Sequence, residues 1–275
     1  MPTKTKARAA SKNGKATHPP GTIGVSAGEF LRYGEFFMSL LKCKKPDGTN
    51  ISFSQSISIP ENWNDIIRQM HGDWLWIQAD DHVFQPDALE CLLDRDLDVV
   101  VPLILRRGPP FVPLIFKEET EAGYVPFAYD ELPREGLVEC VMAASGGMLV
   151  RKHVLEAIVE WQGHDAVFEY EAGEKLTEDF HFARKIKACG FKLWCDVSVV
   201  MAHIGMFKIW PHLTETGWQI GFDMGRSKDG RRSTFYFDPH EAVRFGLDYT
   251  HIVDVYADGV KASSDAVQAT GFFFF

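Results

Sequence analysis

The chain has 275 residues, 45% of them hydrophobic and 24% charged, with a formal net charge of -9. That is an ordinary globular balance, and the acidic excess argues against avid nucleic-acid binding by the whole domain while leaving a local basic groove open. No apolar run approaches the roughly 20 residues of a membrane span, and the scattered Cys43, Cys91, Cys140, Cys189 and Cys195 contain no CxxC pair of the kind that builds a zinc site. Reduced thiols of this sort fit a cytoplasmic protein.

Residues 1–20, MPTKTKARAASKNGKATHPP, are basic and polar without the apolar centre of a secretory signal. They read as a disordered tail. Residues 22–26 (TIGVS) predict a short strand, and 28–43 places apolar residues at helical spacing. After a Pro46-Asp47-Gly48 turn, the alternation over 51–59 predicts a second strand ended by Pro60, and 61–70 a helix. The apolar run Trp74–Ile77 is a buried strand that stops at Ala79-Asp80-Asp81-His82, and a short helix follows over 86–95. Residues 98–105 (DVVVPLIL) predict a strand buried on both faces. Further on, 112–116 and 138–143 read as strands, 152–161 as a helix, 178–189 as an amphipathic helix and 191–200 as a strand. Beyond Trp210 the pattern weakens, apart from a charged turn at 228–232 and an apolar end at Phe272–Phe275. Strand–helix alternation through residue 105 predicts an α/β fold with a mostly parallel central sheet flanked by helices.

Four groups of residues carry chemical potential, and each has a plain alternative. Asp80-Asp81-His82 ends a buried strand, where ligands bind in open α/β sheets, and two adjacent carboxylates with an imidazole suit a divalent cation held against a phosphate. The plain alternative is a solvated or capping turn. Thr177-Glu178-Asp179 opens a helix, either as cap and dipole-matched acids or as the source of a general base. His203, near a strand end, is either a core histidine or a metal ligand. Ser145-Gly146-Gly147 is either a simple turn or a place of close backbone approach. The sequence contains no P-loop and no GxGxxG.

The order of these pieces resembles a nucleotide-sugar-dependent glycosyltransferase of the GT-A fold, similar to the family-2 group. TIGVSAGEFLRYGEFFMSLL resembles the opening strand and helix beneath the nucleotide. WLWIQADDHVFQPDAL resembles the strand bearing the D-x-D motif. SGGMLVRKHVLEAI resembles the glycine-containing acceptor segment, and TEDFHFARKIKACGFKLWCDVSVVMAHIG the segment with a catalytic base and a metal-binding histidine. The likeness departs at the first acid of D-x-D, which falls on Ala79. The Arg-Asn pair of the second helix is replaced by Asn62-Trp63-Asn64, and the Q-x-x-R-W motif of processive synthases is absent.

The resemblance implies a GT-A domain over 21–207, with a mostly parallel Rossmann-like sheet, a small mixed second sheet, and an extension over 208–275 packed on it. It implies an inverting, non-processive transfer of a sugar from a nucleoside-diphosphate sugar to an acceptor hydroxyl. Asp81 and His203 are then ligands of Mn2+ or Mg2+, and Asp179 is the base with Glu178 orienting the acceptor. Asp80, Ser26, Asn62, Gly146 and Gly147 then lie against the donor, and Arg106 and Arg107 are candidates to meet phosphate, with a solvated loop the plainer reading of at least one of them. The acceptor class stays open among a glycan, a small molecule, a protein and a modified nucleic-acid base. Ala79 also leaves open a non-catalytic nucleotide-sugar or glycan-binding module on a degenerate fold.

Overall fold

The computed structural model describes residues 18–27, 34–55, 58–108, 110–121, 123–170, 176–205, 208–226, 232–237, 252–255 and 261–264. Most of the expected N-terminal tail, the start of the 28–43 helix, most of the charged turn and the phenylalanine-rich end lie outside them. The first part alternates as β1 (Thr22–Ser26), α1 (Gly34–Lys42), β2 (Asn50–Ser54), α2 (Ile59–Arg68), β3 (Trp74–Ala79), β4 (His82–Phe84), α3 (Ala88–Asp94) and β5 (Val99–Leu103). Then come β6 (Ile115–Thr120), β7 (Gly123–Pro126), β8 (Leu137–Cys140), β9 (Met142–Ala143), β10 (Leu149–Arg151), α4 (Lys152–Gln162), α5 (Glu178–Ala188) and the long β11 (Leu193–Ile204). The strands β12 (Lys208–Thr214), β13 (Gly217–Arg226) and β14 (Arg232–Phe237) follow, with β15 (Ile252–Val255) paired to β16 (Lys261–Ser264).

The main sheet runs β14-β13-β12-β11-β5-β10-β3-β1-β2, with β4 and β8 also bonded to β11. It is mixed rather than mostly parallel. The pairs β1–β2, β1–β3 and β5–β11 are parallel, but β10 runs antiparallel between β3 and β5. The physical reason is the turn at 145–148, which is stitched to the C-terminal end of β3 by Gly147 N–H to Ile77 O and Ile77 N–H to Met148 O. A strand entering from that edge can only run backward. The second sheet, β7-β6-β9, is antiparallel throughout. The position 207/208 falls between β11 and β12, which are hydrogen-bonded neighbours in the main sheet.

Alternating side chains on β3 build the core on both faces. Trp74 and Trp76 pack with Phe36 and Leu40 of α1 and with Leu89, Leu92 and Leu93 of α3. Leu75 and Ile77 pack with Trp63 and Ile66 of α2, Val154 and Ile158 of α4, and Phe182 and Ile186 of α5. Helices therefore cover the sheet on either side, as period-two burial on a doubly buried strand requires.

Two boundaries differ from expectation for local reasons. The strand expected over 51–59 stops at Ser54, because Pro60 sits in the first turn of α2, where its missing N–H has no helical partner to lose. The strands β12 to β14 carry little sequence signal, since Pro211 interrupts the apolar alternation of β12 even though it pairs with Ile220. Among the described residues no helix is long and apolar enough to cross a membrane. The five cysteines are free, and burial pushes their thiols up, Cys43 to about 11 and Cys140 to about 12, which argues against a thiolate nucleophile.

Candidate metal and acid–base site

The long strand β11 changes neighbours partway along. Its first half pairs with β5, and a register shift between Asp196 and Val200 turns the second half toward β4. His203 is thus inside the strand rather than beyond it, directly opposite His82. Opposed residues on antiparallel strands bring their side chains together, and the two imidazole rings stand 5.0 Å apart, edge to face. Asp81 immediately precedes β4, and its carbonyl accepts the Ile204 N–H at 2.8 Å. Ligand atoms of Asp81, His82 and His203 all lie within 4.8 Å of one another.

The hydrogen bonds of His203 define the chemistry of this cluster. Its Nδ1 lies 3.0 Å from the Leu105 carbonyl, which only accepts, so Nδ1 carries a proton. In a neutral ring Nε2 is then a bare lone pair, and it points at Asp81 Oδ2 from 3.2 Å. Two acceptors in contact require either a second proton on the ring or a cation shared between them. A histidine that donates its other N–H to a backbone carbonyl is also the usual arrangement of a metal-ligating imidazole. Asp81 Oδ1 and His82 Nδ1 are buried without a hydrogen-bond partner. The donor set therefore fits a divalent cation.

Electrostatics point the same way. Burial pushes the Asp81 carboxyl up, but the His203 hydrogen bond and the charges of His82, His203 and Arg107 overcome it and hold the group well below the usual carboxylate range. Burial drives His82 down to about 4, against the pull of Asp81, which keeps the imidazole neutral and able to coordinate near neutral pH.

Room for His82 is made by a glycine. A Cβ on Gly146 would lie 2.4 Å from His82 Cε1, so only glycine lets the ring pass the turn. Gly147 has φ of 75°, and a Cβ there would meet Pro102 at 2.6 Å and Met201 at 3.0 Å. The same turn reaches the acids of α5. The Ser145 backbone amide supports the ionised Asp179 carboxylate, alongside the Thr177 hydroxyl and the Phe180 N–H. Burial outweighs these bonds and raises the Asp179 carboxyl above its ordinary value. Glu178 is raised by burial and then by the charge of Asp179, while Tyr170 hydrogen-bonds it. Thr177 occupies the N-cap position of α5, but its hydroxyl makes no capping hydrogen bond and donates to Asp179 instead, while both acids lie in the first turn where the helix dipole favours them.

Ser26 and Asn62 form a second cluster. Ser26 pairs in register with Ala79 and Ser54 at the C-terminal ends of β3 and β2. Asn62 is fully buried, donating from Nδ2 to Ser26 Oγ at 3.1 Å and accepting from Ser54 at 3.3 Å. Its amide thus ties α2 to the two strand ends and presents no group to solvent. Asp80 is half-buried beside Ala79. Sequence reasoning placed the His82 imidazole beside the two acids but kept only Asp81 and His203 as ligands, and it did not foresee Arg107 as a partner of Asp81, at 2.9 Å from Oδ2. The isolated triplet His82-Val83-Phe84 is too short to reveal its strand by periodicity, and its pairing with β11 is the missing signal.

No family model and no curated protein matches this chain. Among solved structures, the crystal structure of A197 from STIV is similar at a TM-score of 0.44 and 10% identity, over 69% of this chain and 87% of that one. A likeness that distant assigns neither a family nor an activity to the chain.

Proposed function

We propose that the protein is a metal-dependent glycosyltransferase of GT-A type that moves a sugar from a nucleoside-diphosphate donor to an acceptor hydroxyl with inversion and without processivity. The observation that carries this reading is the convergence of ligand atoms of Asp81, His82 and His203 within 4.8 Å of one another, with His203 Nε2 facing Asp81 Oδ2 at 3.2 Å. Asp81, His203 and His82 would hold a cation, Mn2+ or Mg2+. When bound, it supplies positive charge beside the diphosphate leaving group.

The remaining chemistry belongs to the chain. Attack by the acceptor oxygen forms a bond to the anomeric carbon as the bond to the diphosphate oxygen breaks, and the leaving oxygen keeps the electron pair. The hydroxyl proton passes to the Asp179 carboxylate. Burial raises the proton affinity of that group, which favours its service as a base, while the Ser145 and Phe180 amides and the Thr177 hydroxyl fix its direction. Glu178, bonded to Tyr170, lies beside it as an orienting group for the acceptor. The turn through Gly146 and Gly147 adjoins both the His82 ring and Asp179, so it links the metal and base regions through few covalent steps.

The test is release of nucleoside diphosphate from a panel of nucleotide sugars supplied with Mn2+ and a mixed acceptor pool. Asp179→Asn is expected to abolish release while donor binding persists. Donor binding without turnover in the unaltered protein would instead favour a binding module.

A further inference from the structure

We infer that Arg107 and a divalent cation compete for the Asp81 carboxylate, and that the displaced guanidinium becomes a ligand for the anionic diphosphate; this rests on the metal-dependent reading of the site. Arg107 Nη1 donates to Asp81 Oδ2 at 2.9 Å, the same oxygen that His203 Nε2 faces from 3.2 Å. A guanidinium and a divalent cation on one carboxylate oxygen repel each other. The Arg107 side chain is 60% exposed, and exposed ion pairs are weak, so it is readily displaced.

The backbone beneath it is fixed. Leu105 bridges to Pro113, and the Arg106 N–H bonds to Val112 O at 2.9 Å. Phe111 holds a left-handed φ of 57°, which a bulky side chain rarely adopts. It is kept there by edge-on contact with Phe222 at 5.1 Å and by the Tyr129 hydroxyl on its carbonyl. A long side chain on an anchored loop swings without leaving the site. Its planar fork suits phosphate oxygens. Lys208, opposite Ile204 beside the cluster, is already engaged by Glu35 at 2.7 Å and Asp223 at 3.1 Å.

The experiment is calorimetric titration of Mn2+ into the unaltered protein, Arg107→Ala and Lys192→Ala, followed by inorganic pyrophosphate on each Mn2+-saturated protein. Arg107→Ala should bind Mn2+ about five- to tenfold more tightly, yet bind pyrophosphate about tenfold more weakly. Lys192→Ala, which carries the same charge change at an exposed residue paired with Glu139, should alter each by less than about twofold. A merely structural role does not produce opposite shifts for the two ligands. Equal or weaker Mn2+ binding by Arg107→Ala, with the unaltered protein still binding Mn2+, overturns the exchange and leaves the metal site standing. Unchanged pyrophosphate affinity also overturns it. Absence of Mn2+ binding by the unaltered protein refutes the metal site and the exchange together.

Discussion

His203 Nε2 lies 3.2 Å from Asp81 Oδ2, while His203 Nδ1 is anchored on the Leu105 carbonyl. The two residues are 122 positions apart, joined where β11 pairs with β4. This relationship places a proton on Nδ1 and directs Nε2 at a carboxylate.

Loss of either partner should remove the metal site. Asp81→Ala and His203→Ala are each expected to weaken Mn2+ binding by at least about 100-fold, while far-ultraviolet circular dichroism stays unchanged. Retained affinity in both variants would place the cation elsewhere.

Gly146→Ala tests the passage made for His82. The new Cβ, 2.4 Å from the ring, forces the imidazole aside. Overpacking of this kind typically destabilises by about 1–3 kcal/mol. The accompanying result is reduced Mn2+ affinity, and an alanine variant with normal affinity would remove His82 from the ligand set.

The buried His82 gives a defined pH dependence. Its folded value, about 4, lies below the ordinary 6.5, so the unfolded chain binds more protons between those limits. The stability linked to His82 is therefore complete above 6.5 and is lost as pH falls toward 4. Each tenfold difference in proton affinity between the folded and unfolded states corresponds to about 1.4 kcal/mol. Urea unfolding at pH 7.5 and 4.5 should show a larger acid loss for the unaltered protein than for His82→Gln; equal losses would contradict the burial argument.

Asp179 has the opposite sign. Its folded carboxyl is raised above 3.8, so the folded state binds more protons and stability declines as pH rises from 3.8 through the raised value. Asp179→Asn should therefore be more stable than the unaltered protein at neutral pH. The gain should vanish in acid. A variant destabilised at neutral pH would mean that the bonds from Thr177, Phe180 and Ser145 outweigh burial.

The parts that depend on local periodicity were legible in the sequence. The apolar run ending at Ala79 delimits β3, and the spacing over 178–189 gives α5 almost to the residue. The direction of β10 was not legible, because it depends on where the 145–148 turn is stitched to β3. Nor was the inclusion of His203 within β11, which follows from a register shift. Asp81, His82 and His203 were visible as residue types at strand ends, but the approach of His203 to the other two and of Arg107 to Asp81 depends on long-range pairing. Asn62 reads from sequence as a polar residue available to a ligand, whereas Ser26 and Ser54 occupy its amide in the fold.

The central claim is a cation-dependent diphosphate site on Asp81 and His203. Its most direct test is calorimetric binding of a panel of nucleoside diphosphates, with and without Mn2+, to the unaltered protein and to Asp81→Ala. At least one nucleotide should bind only when Mn2+ is present, and Asp81→Ala should bind none. Failure of every nucleotide to bind, or binding that is indifferent to both Mn2+ and Asp81, would contradict the account.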